Sequence, residues 1–243
     1  MLFPTPDAGE PALAVLLMTS GGLTAGDRTE VTVIVGPQAS ATVATQAAER
    51  IYRALDDAGE ARMQFTLEIG AGAWAEWLAQ ETIVFDGARL RRTFNAEVAP
   101  TGRLLALESV VLGRTEMGER FETGLLHDEW RISRDGRLVW VDALRLEGDI
   151  ERLRTRPFGF GTCVASSTLL YVGADAAQRL EAARAILAEC GGLGAATVID
   201  GVLLVRAMAE RAHELRAAMM TLVAGLRQAA GSWPARLPRV WHC

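Results

Sequence analysis

Two stretches of this chain, VIVGPQASATVATQ (33–46) and LEIGAGAWAEWLAQ (67–80), superpose without a gap at an offset of 34 residues. Gly36 falls on Gly70, Ala39 on Ala73, Ala41 on Ala75 and Gln46 on Gln80. Both alternate apolar and polar side chains with the period of a β-strand, in which successive residues point to opposite faces. FNAEVAPTGRLLALE (94–108) resembles a third copy once a residue is inserted. Such an echo is expected of a short, irregular β-solenoid, in which each unit buries its face against the next. Chance similarity between two alternating strand pairs is the rival reading.

The alternation extends well beyond the echo. EVTVIV (30–35), SATVAT (40–45), MQFTLEI (63–69), WAEWL (74–78), TIVF (82–85), LRRTFNAEV (90–98) and LLALESVVL (104–112) all read as strands. EWRISRDGRLVWVDALRL (129–146) reads as a hairpin turning at Asp135-Gly136. Residues 1–165 are therefore expected to form a β-rich body. Residues 166–243 form an α+β portion continuous with it. There SSTLLYVG is a strand, and 175–190 is a helix on the spacing of Leu180, Ala183, Leu187 and Cys190, closed by Gly191-Gly192. ATVID and VLLVRAM pair around Asp200-Gly201. A longer helix spans about 209–230, with Leu215, Met219, Leu222 and Leu226 inward and Glu214, Arg216 and Arg227 on its polar side. The proline-broken tail SWPARLPRVWHC should wrap onto the body. The fold class is mainly β with two helices near the C-terminal end.

Composition excludes several functions. The net charge is −5, and every one of the 25 basic residues is arginine; a nucleic-acid binder needs a basic footprint that this balance does not provide. Cys163, Cys190 and Cys243 are three and widely spaced, which fits a reducing compartment better than a disulfide framework. No run is long enough for a membrane span or a signal-peptide core, so a cytoplasmic protein is expected. The phosphate-binding loop, the nucleophile elbow, H-E-x-x-H and C-x-x-C are all absent. His127, His213 and His242 are scattered, and no stable metal site is expected.

What remains is a set of carboxylates in apolar settings. In LLALESVVLG (104–113), Glu108 shares a face with Leu104, Ala106, Val110 and Leu112, while Leu105, Leu107 and Val111 line the other. A carboxylate so placed is buried or lines a cavity, and needs a partner, an ion or water. Asp142 shares a face with Leu138, Trp140, Leu144 and Leu146. Asp27 closes a glycine turn directly before a strand, Glu76 lies between Trp74 and Trp77, and Glu81 completes the group. Each could be held by an arginine, such as Arg103, Arg114 or Arg145, in a buried ion pair. A cluster around a wet cavity would instead attract a divalent cation, and oxygen ligands alone would bind it weakly.

SGGLTAGD (20–27), TQAAERIYR (45–53), WLAQETIVFDGA (77–88), LGRTEMGERF (112–121) and PRVW (238–241) run through the chain in order. As a set they resemble the urease accessory proteins of the UreD (UreH) family. Relatives carry several strands before the glycine motif, so the resemblance implies a member with a shortened N-terminus. It also implies a β-helical body and no enzymatic activity. The implied partners are the urease apoprotein, a UreF-type accessory protein and, through that complex, a UreG-type GTPase. No cofactor is implied beyond nickel(II) in passage along an internal channel to the urease metallocentre. Asp27, Glu108 and Asp142 fall where relatives are acidic and are the channel candidates, with Glu76, Glu81 and Tyr52 as secondary candidates. Ala25 and Ala79 replace a glycine and a proline of the family pattern, and Glu49 and Arg50 depart from it. Two other readings stand beside the conduit: a pure protein-binding scaffold with structural carboxylates, and a carbohydrate-active β-solenoid working by paired carboxylates.

Overall fold

A computed structural model describes residues 1–55, 59–191 and 194–242. The chain opens with β1 (Ala12–Leu16), and then winds into coils. The first coil is β2 (Arg28–Val35), β3 (Ser40–Thr45) and β4 (Glu49–Ile51). The second is β5 (Ala61–Ile69), β6 (Trp74–Leu78) and β7 (Thr82–Val84). In the third, β8 (Arg89–Val98) is followed by β9 (Arg103–Arg114), one strand long enough to pair in parallel with both β6 and β7. Parallel stacking sets Val33 beside Leu67 and Thr42 beside Glu76. Both pairs are 34 residues apart, so the offset of the sequence echo is the length of one coil. The next step pairs Phe65 with Phe94 and Trp77 with Ala106. Those are 29 residues apart in both strand pairs, so the third copy registers without the inserted residue expected from the sequence.

After the coils, β10 (Glu119–Arg120) folds back on the end of β9. β11 (Thr123–Arg134) adds in parallel to β8 and turns into β12 (Arg137–Asp149). Asp135 and Gly136 both have positive φ, 53° and 70°, the backbone of the two-residue hairpin turn read from the sequence. The short helix α1 (Ile150–Arg154) follows, capped by the Asp149 carboxylate on the Arg152 N–H. β13 (Ala165–Val172) then pairs antiparallel with β9. α2 (Leu180–Glu189), β14 (Gly194–Ile199), β15 (Val202–Ala209) and α3 (Ala212–Gly231) complete the chain before its tail. One large sheet runs β1-β3-β6-β9-β13-β15-β14, and a five-stranded sheet runs β12-β11-β8-β5-β2. The β-rich architecture and both C-terminal helices thus agree with the sequence. Helix α1 and the strands β1, β4 and β10 are additions to that reading, and Gly192, expected to help end the first helix, lies outside the described residues.

Two apolar layers hold this together. Between the sheets, Phe65, Trp77, Phe94, Trp130 and Trp140 form a continuous file with ring centroids 4.5–6.0 Å apart, the second coil supplying two, the third one and the β11–β12 hairpin two. On the other side of the large sheet, Leu105, Leu107, Leu169, Leu203 and Val205 meet α3 through Leu215, Met219, Leu222 and Leu226. The tail does wrap onto this layer: Leu237 and Trp241 are buried, and Trp241 Nε1 donates to the Leu78 carbonyl at 3.2 Å. One expectation fails here. Arg227, read onto the polar side of α3, is fully buried, because it lies four residues after Val223 and three before Ala230, within the stripe that faces the sheet.

Candidate functional site

The two-face reading of β9 holds residue by residue. Leu104, Ala106, Val110 and Leu112 enter the layer between the sheets, whereas Leu105, Leu107 and Val111 face the helices. Glu108 therefore points into the inter-sheet layer, 3% exposed. Opposite it stands Arg92 of β8, 1% exposed, flanked on its own face by Leu90 and Phe94. Arg92 Nε and Nη2 take both oxygens of Asp128, on β11, at 2.9 and 2.6 Å. Nη1 donates to Thr82 at 3.0 Å and also contacts Glu108. The second oxygen of Glu108 accepts from Trp77 Nε1 at 2.7 Å.

One guanidinium thus serves two buried carboxylates, and its bidentate fork is committed to Asp128. Burial pushes the Glu108 carboxyl up to about 7, and the neighbouring Asp128 charge adds to this against the pull of Arg92 and Trp77. Burial works against the charge of Arg92, but Asp128 and Glu108 outweigh it and hold its pKa above the ordinary arginine value.

Asp142 lies close by. Cross-strand pairing sets Glu108 beside Thr168 of β13 and Thr168 beside Arg206 of β15, so the three share one face. Arg206 reaches across to Asp142, on β12 of the opposing sheet, in an ion pair. Glu108, Asp128, Asp142, Ser166, Thr168 and Arg206 all line one cavity of about 190 Å³. With Arg92 behind it, the cavity is set among three carboxylates and two guanidiniums. Formally that leaves one excess negative charge, with Glu108, Asp128 and Arg92 buried at the inner end and the Asp142–Arg206 pair more open to solvent. Hard oxygen donors of this kind can take up a proton or a transient cation. Among the described residues, no group of three or more His, Cys, Asp or Glu side chains is arranged to hold a metal ion.

The other candidates lie elsewhere. Glu76 is buried on the helix side of the sheet, not between the sheets. Its Oε1 accepts from Arg227 Nε at 2.8 Å and from Trp74 Nε1 at 2.9 Å, while Thr42 holds the other oxygen. Arg227 continues to Glu10 at 2.6 Å, and Glu10 to Arg236 at 2.9 Å. This network ties the start of the chain to its tail. Glu81 pairs with Arg216 at 2.7 Å, and Arg216 also donates to the Trp241 carbonyl and lies over its ring. Asp27 is exposed, closes its turn by accepting from the Thr24 N–H at 2.9 Å, and does not line the cavity. Tyr52 donates to the Gly21 carbonyl at 3.0 Å and packs edge-on against Phe85, bracing the glycine turn.

None of these carboxylates uses the arginines first suggested for them. Arg103 donates to the Ala230 carbonyl, Arg114 pairs with Glu119 and Arg145 with Glu147. Sequence reading missed Arg92, Asp128 and Arg206, and the first two were within its reach. Alternation in RLRRTFNA (89–96) already places Arg92 with Leu90 and Phe94, and in LHDEWRI (126–132) it places Asp128 with Leu126, Trp130 and Ile132. The same pattern that exposed Glu108 was available for both.

Residues 1–242 match the family model described as UreD urease accessory protein. A urease accessory protein UreD from Magnetococcus marinus is 42% identical over 99% of this chain and 84% of its own length. One from Rhizobium leguminosarum bv. viciae is 40% identical over 98% of this chain and 84% of its own length. One from Granulibacter bethesdensis is 39% identical over 99% of both chains.

Proposed function

Since this chain belongs to the UreD family of urease accessory proteins, we propose that it acts in urease maturation as a scaffold and nickel(II) conduit. In this reading it stands between a UreF/UreG-type GTPase complex and the urease apoprotein, is not itself an enzyme, and works in the cytoplasm. The single observation that supports the conduit is the meeting of Glu108 and Asp142 on one cavity, with Asp128 as a third oxygen source. The excess negative charge there attracts a cation, and oxygen donors release a borderline ion readily. Asp27, exposed at its turn, would serve at an end of the route and not within this cavity.

At rest the carboxylates are held by guanidiniums. Passage therefore requires Arg92 and Arg206 to yield their partners, and partner docking or the arriving charge would supply that change. Directionality comes from the GTPase, because this chain carries no phosphate-binding loop with which to hydrolyse a nucleotide. The same pairing favours a second reading, the pure scaffold, in which Glu108–Arg92, Asp142–Arg206, Glu76–Arg227 and Glu81–Arg216 only stabilise the body.

Glu108→Gln combined with Asp142→Asn separates the two, since both changes keep shape and remove charge. The conduit predicts an intact complex with urease apoprotein and UreF- and UreG-type partners, but reduced nickel loading of urease. Undiminished loading in an intact complex would remove the conduit and leave the scaffold. Failure of the complex to assemble would assign the carboxylates to structure.

A further inference from the structure

The outer face of the five-stranded sheet carries an unbroken file of basic side chains. Strand pairing sets Arg28 beside Arg62, Arg62 beside Arg91, Arg91 beside His127, and His127 beside Arg145. Every strand of the sheet contributes one. Their inward neighbours, Met63, Leu90, Leu126 and Leu146, are buried, so the file faces out. Like charges placed directly opposite across a ladder are destabilising. The local carboxylates offset this incompletely, because each is shared. Glu60 serves Arg91 at 2.8 Å and Arg62 at 3.1 Å. Glu147 serves Arg145 at 2.5 Å and Arg89 at 3.8 Å, and Glu129 serves Arg131 at 2.5 Å with His127 at 3.9 Å. Arg28 has no ion-pair partner among the described residues, and Glu30 stands two residues further along the same strand. Six arginines thus face four glutamates.

We infer that this basic file is a docking surface for an acidic-faced helix of a partner protein, laid across the strands. The geometry favours a helix. Strands lie about 4.8 Å apart, so the four arginines of the file, with His127 between Arg91 and Arg145 and its Nδ1 against the Arg91 guanidinium, extend over roughly 19 Å. A helix repeats one face every 5.4 Å, so carboxylates at i, i+4, i+7 and i+11 would track the file over about 13 residues. The chemistry favours carboxylates over a nucleic-acid backbone. The file is one residue wide and bordered by Glu30, Glu60, Glu129 and Glu147, which repel a continuous line of phosphates. Discrete carboxylates can interleave with those glutamates and complete the half-satisfied arginines. This inference stands apart from the nickel route, which lies between the sheets.

The test uses the full chain and a labelled helical peptide of about 15 residues, sized from the helix repeat, with glutamates along one face. A matched peptide with glutamines there and a single-stranded oligonucleotide are the comparison probes, and binding is followed by fluorescence anisotropy at low and high salt. The acidic peptide should bind, the glutamine peptide should not, and binding should weaken with salt. Arg62→Gln with Arg145→Gln, both more than half exposed, should weaken it by about tenfold. Arg137→Gln with Arg156→Gln, exposed and outside the file, should leave it unchanged. Equal binding of the two peptides, tighter binding of the oligonucleotide, or equal binding by both variants would each overturn the inference. Should the first variant fold poorly by circular dichroism, the two-peptide comparison on the unaltered chain still decides.

Discussion

Glu108 and Arg92 meet across the gap between two sheets, both fully buried, and Arg92 gives Glu108 a single amino group while both oxygens of Asp128 take its fork. The inter-sheet layer therefore holds a triad with one charge too few on the basic side. Arg92→Met should destabilise the fold by about 3–5 kcal/mol, because two buried carboxylates lose their counter-charge. Adding Glu108→Gln and Asp128→Asn should recover much of that loss, since the orphaned charges are then gone. Denaturant unfolding of the single and triple variants measures both quantities. A single variant within about 1 kcal/mol of the parent would show the triad to be wetter than its geometry implies.

The raised pKa of Glu108 carries its own pH signature. Folded, the carboxyl titrates near 7; unfolded, near its ordinary 4.5. Between those values the native state holds a proton that the unfolded chain has released, so this group's contribution to stability falls as pH rises through that window. Glu108→Gln fixes the uncharged form. The variant should gain stability relative to the parent between pH 5 and pH 7.5, as read from paired denaturant curves. A difference that stays constant, or moves the other way, would place the negative charge elsewhere in the triad.

Much of this architecture was legible in the residues. Period-two alternation set both faces of LLALESVVLG, and the coil length stood in the echo of 33–46 at 67–80. Partner identity was not legible, because alternation names the face of a side chain and not the strand that lies opposite. Glu108 meets Arg92 only after the chain has formed a second sheet, and Asp142 meets Arg206 from 64 positions further on. The short strands β4 and β10 carry two or three residues each, too few to show a period. Arg227 was misplaced because charge was taken as a sign of solvent, where its position in the apolar stripe was the better guide.

The glycine turn of SGGLTAGD offers a test of why that motif is glycine-rich. Gly22 has φ of 148°, and a Cβ there would lie 2.6 Å from the Arg50 carbonyl and 2.6 Å from the Tyr52 ring. Gly21, with φ of 78°, has nothing within 4 Å of its would-be Cβ. Gly21→Ala should therefore cost about 1 kcal/mol from backbone strain alone. Gly22→Ala should cost clearly more, because the first coil must move off the turn to admit the methyl group. Thermal unfolding of the pair decides, and equal losses would mean that the turn can shift without disturbing Tyr52.

The network around Arg227 makes the last prediction, since it joins parts of the chain distant in sequence. Arg227 binds Glu76 in the second coil and Glu10 near the start of the chain, while Glu10 also holds Arg236 in the tail. Burial opposes the charge of Arg227, and Glu76 and Glu10 outweigh it, keeping its pKa above the usual arginine value. Arg227→Met removes the hub and leaves Glu76 buried without a counter-ion, so a loss of about 3–5 kcal/mol is expected. Glu76→Gln should be milder, because its amide can still accept from Trp74 and Thr42 is at hand to bond it. The double variant should be less than additive, with a coupling of about 1–3 kcal/mol from the cycle. If the arginine instead only packs its stem against the sheet, the two losses will add, and the tail will stay as protected from proteolysis in Arg227→Met as in the parent. Loosening of the tail together with measurable coupling would show that one buried guanidinium fastens both ends of the chain to the solenoid.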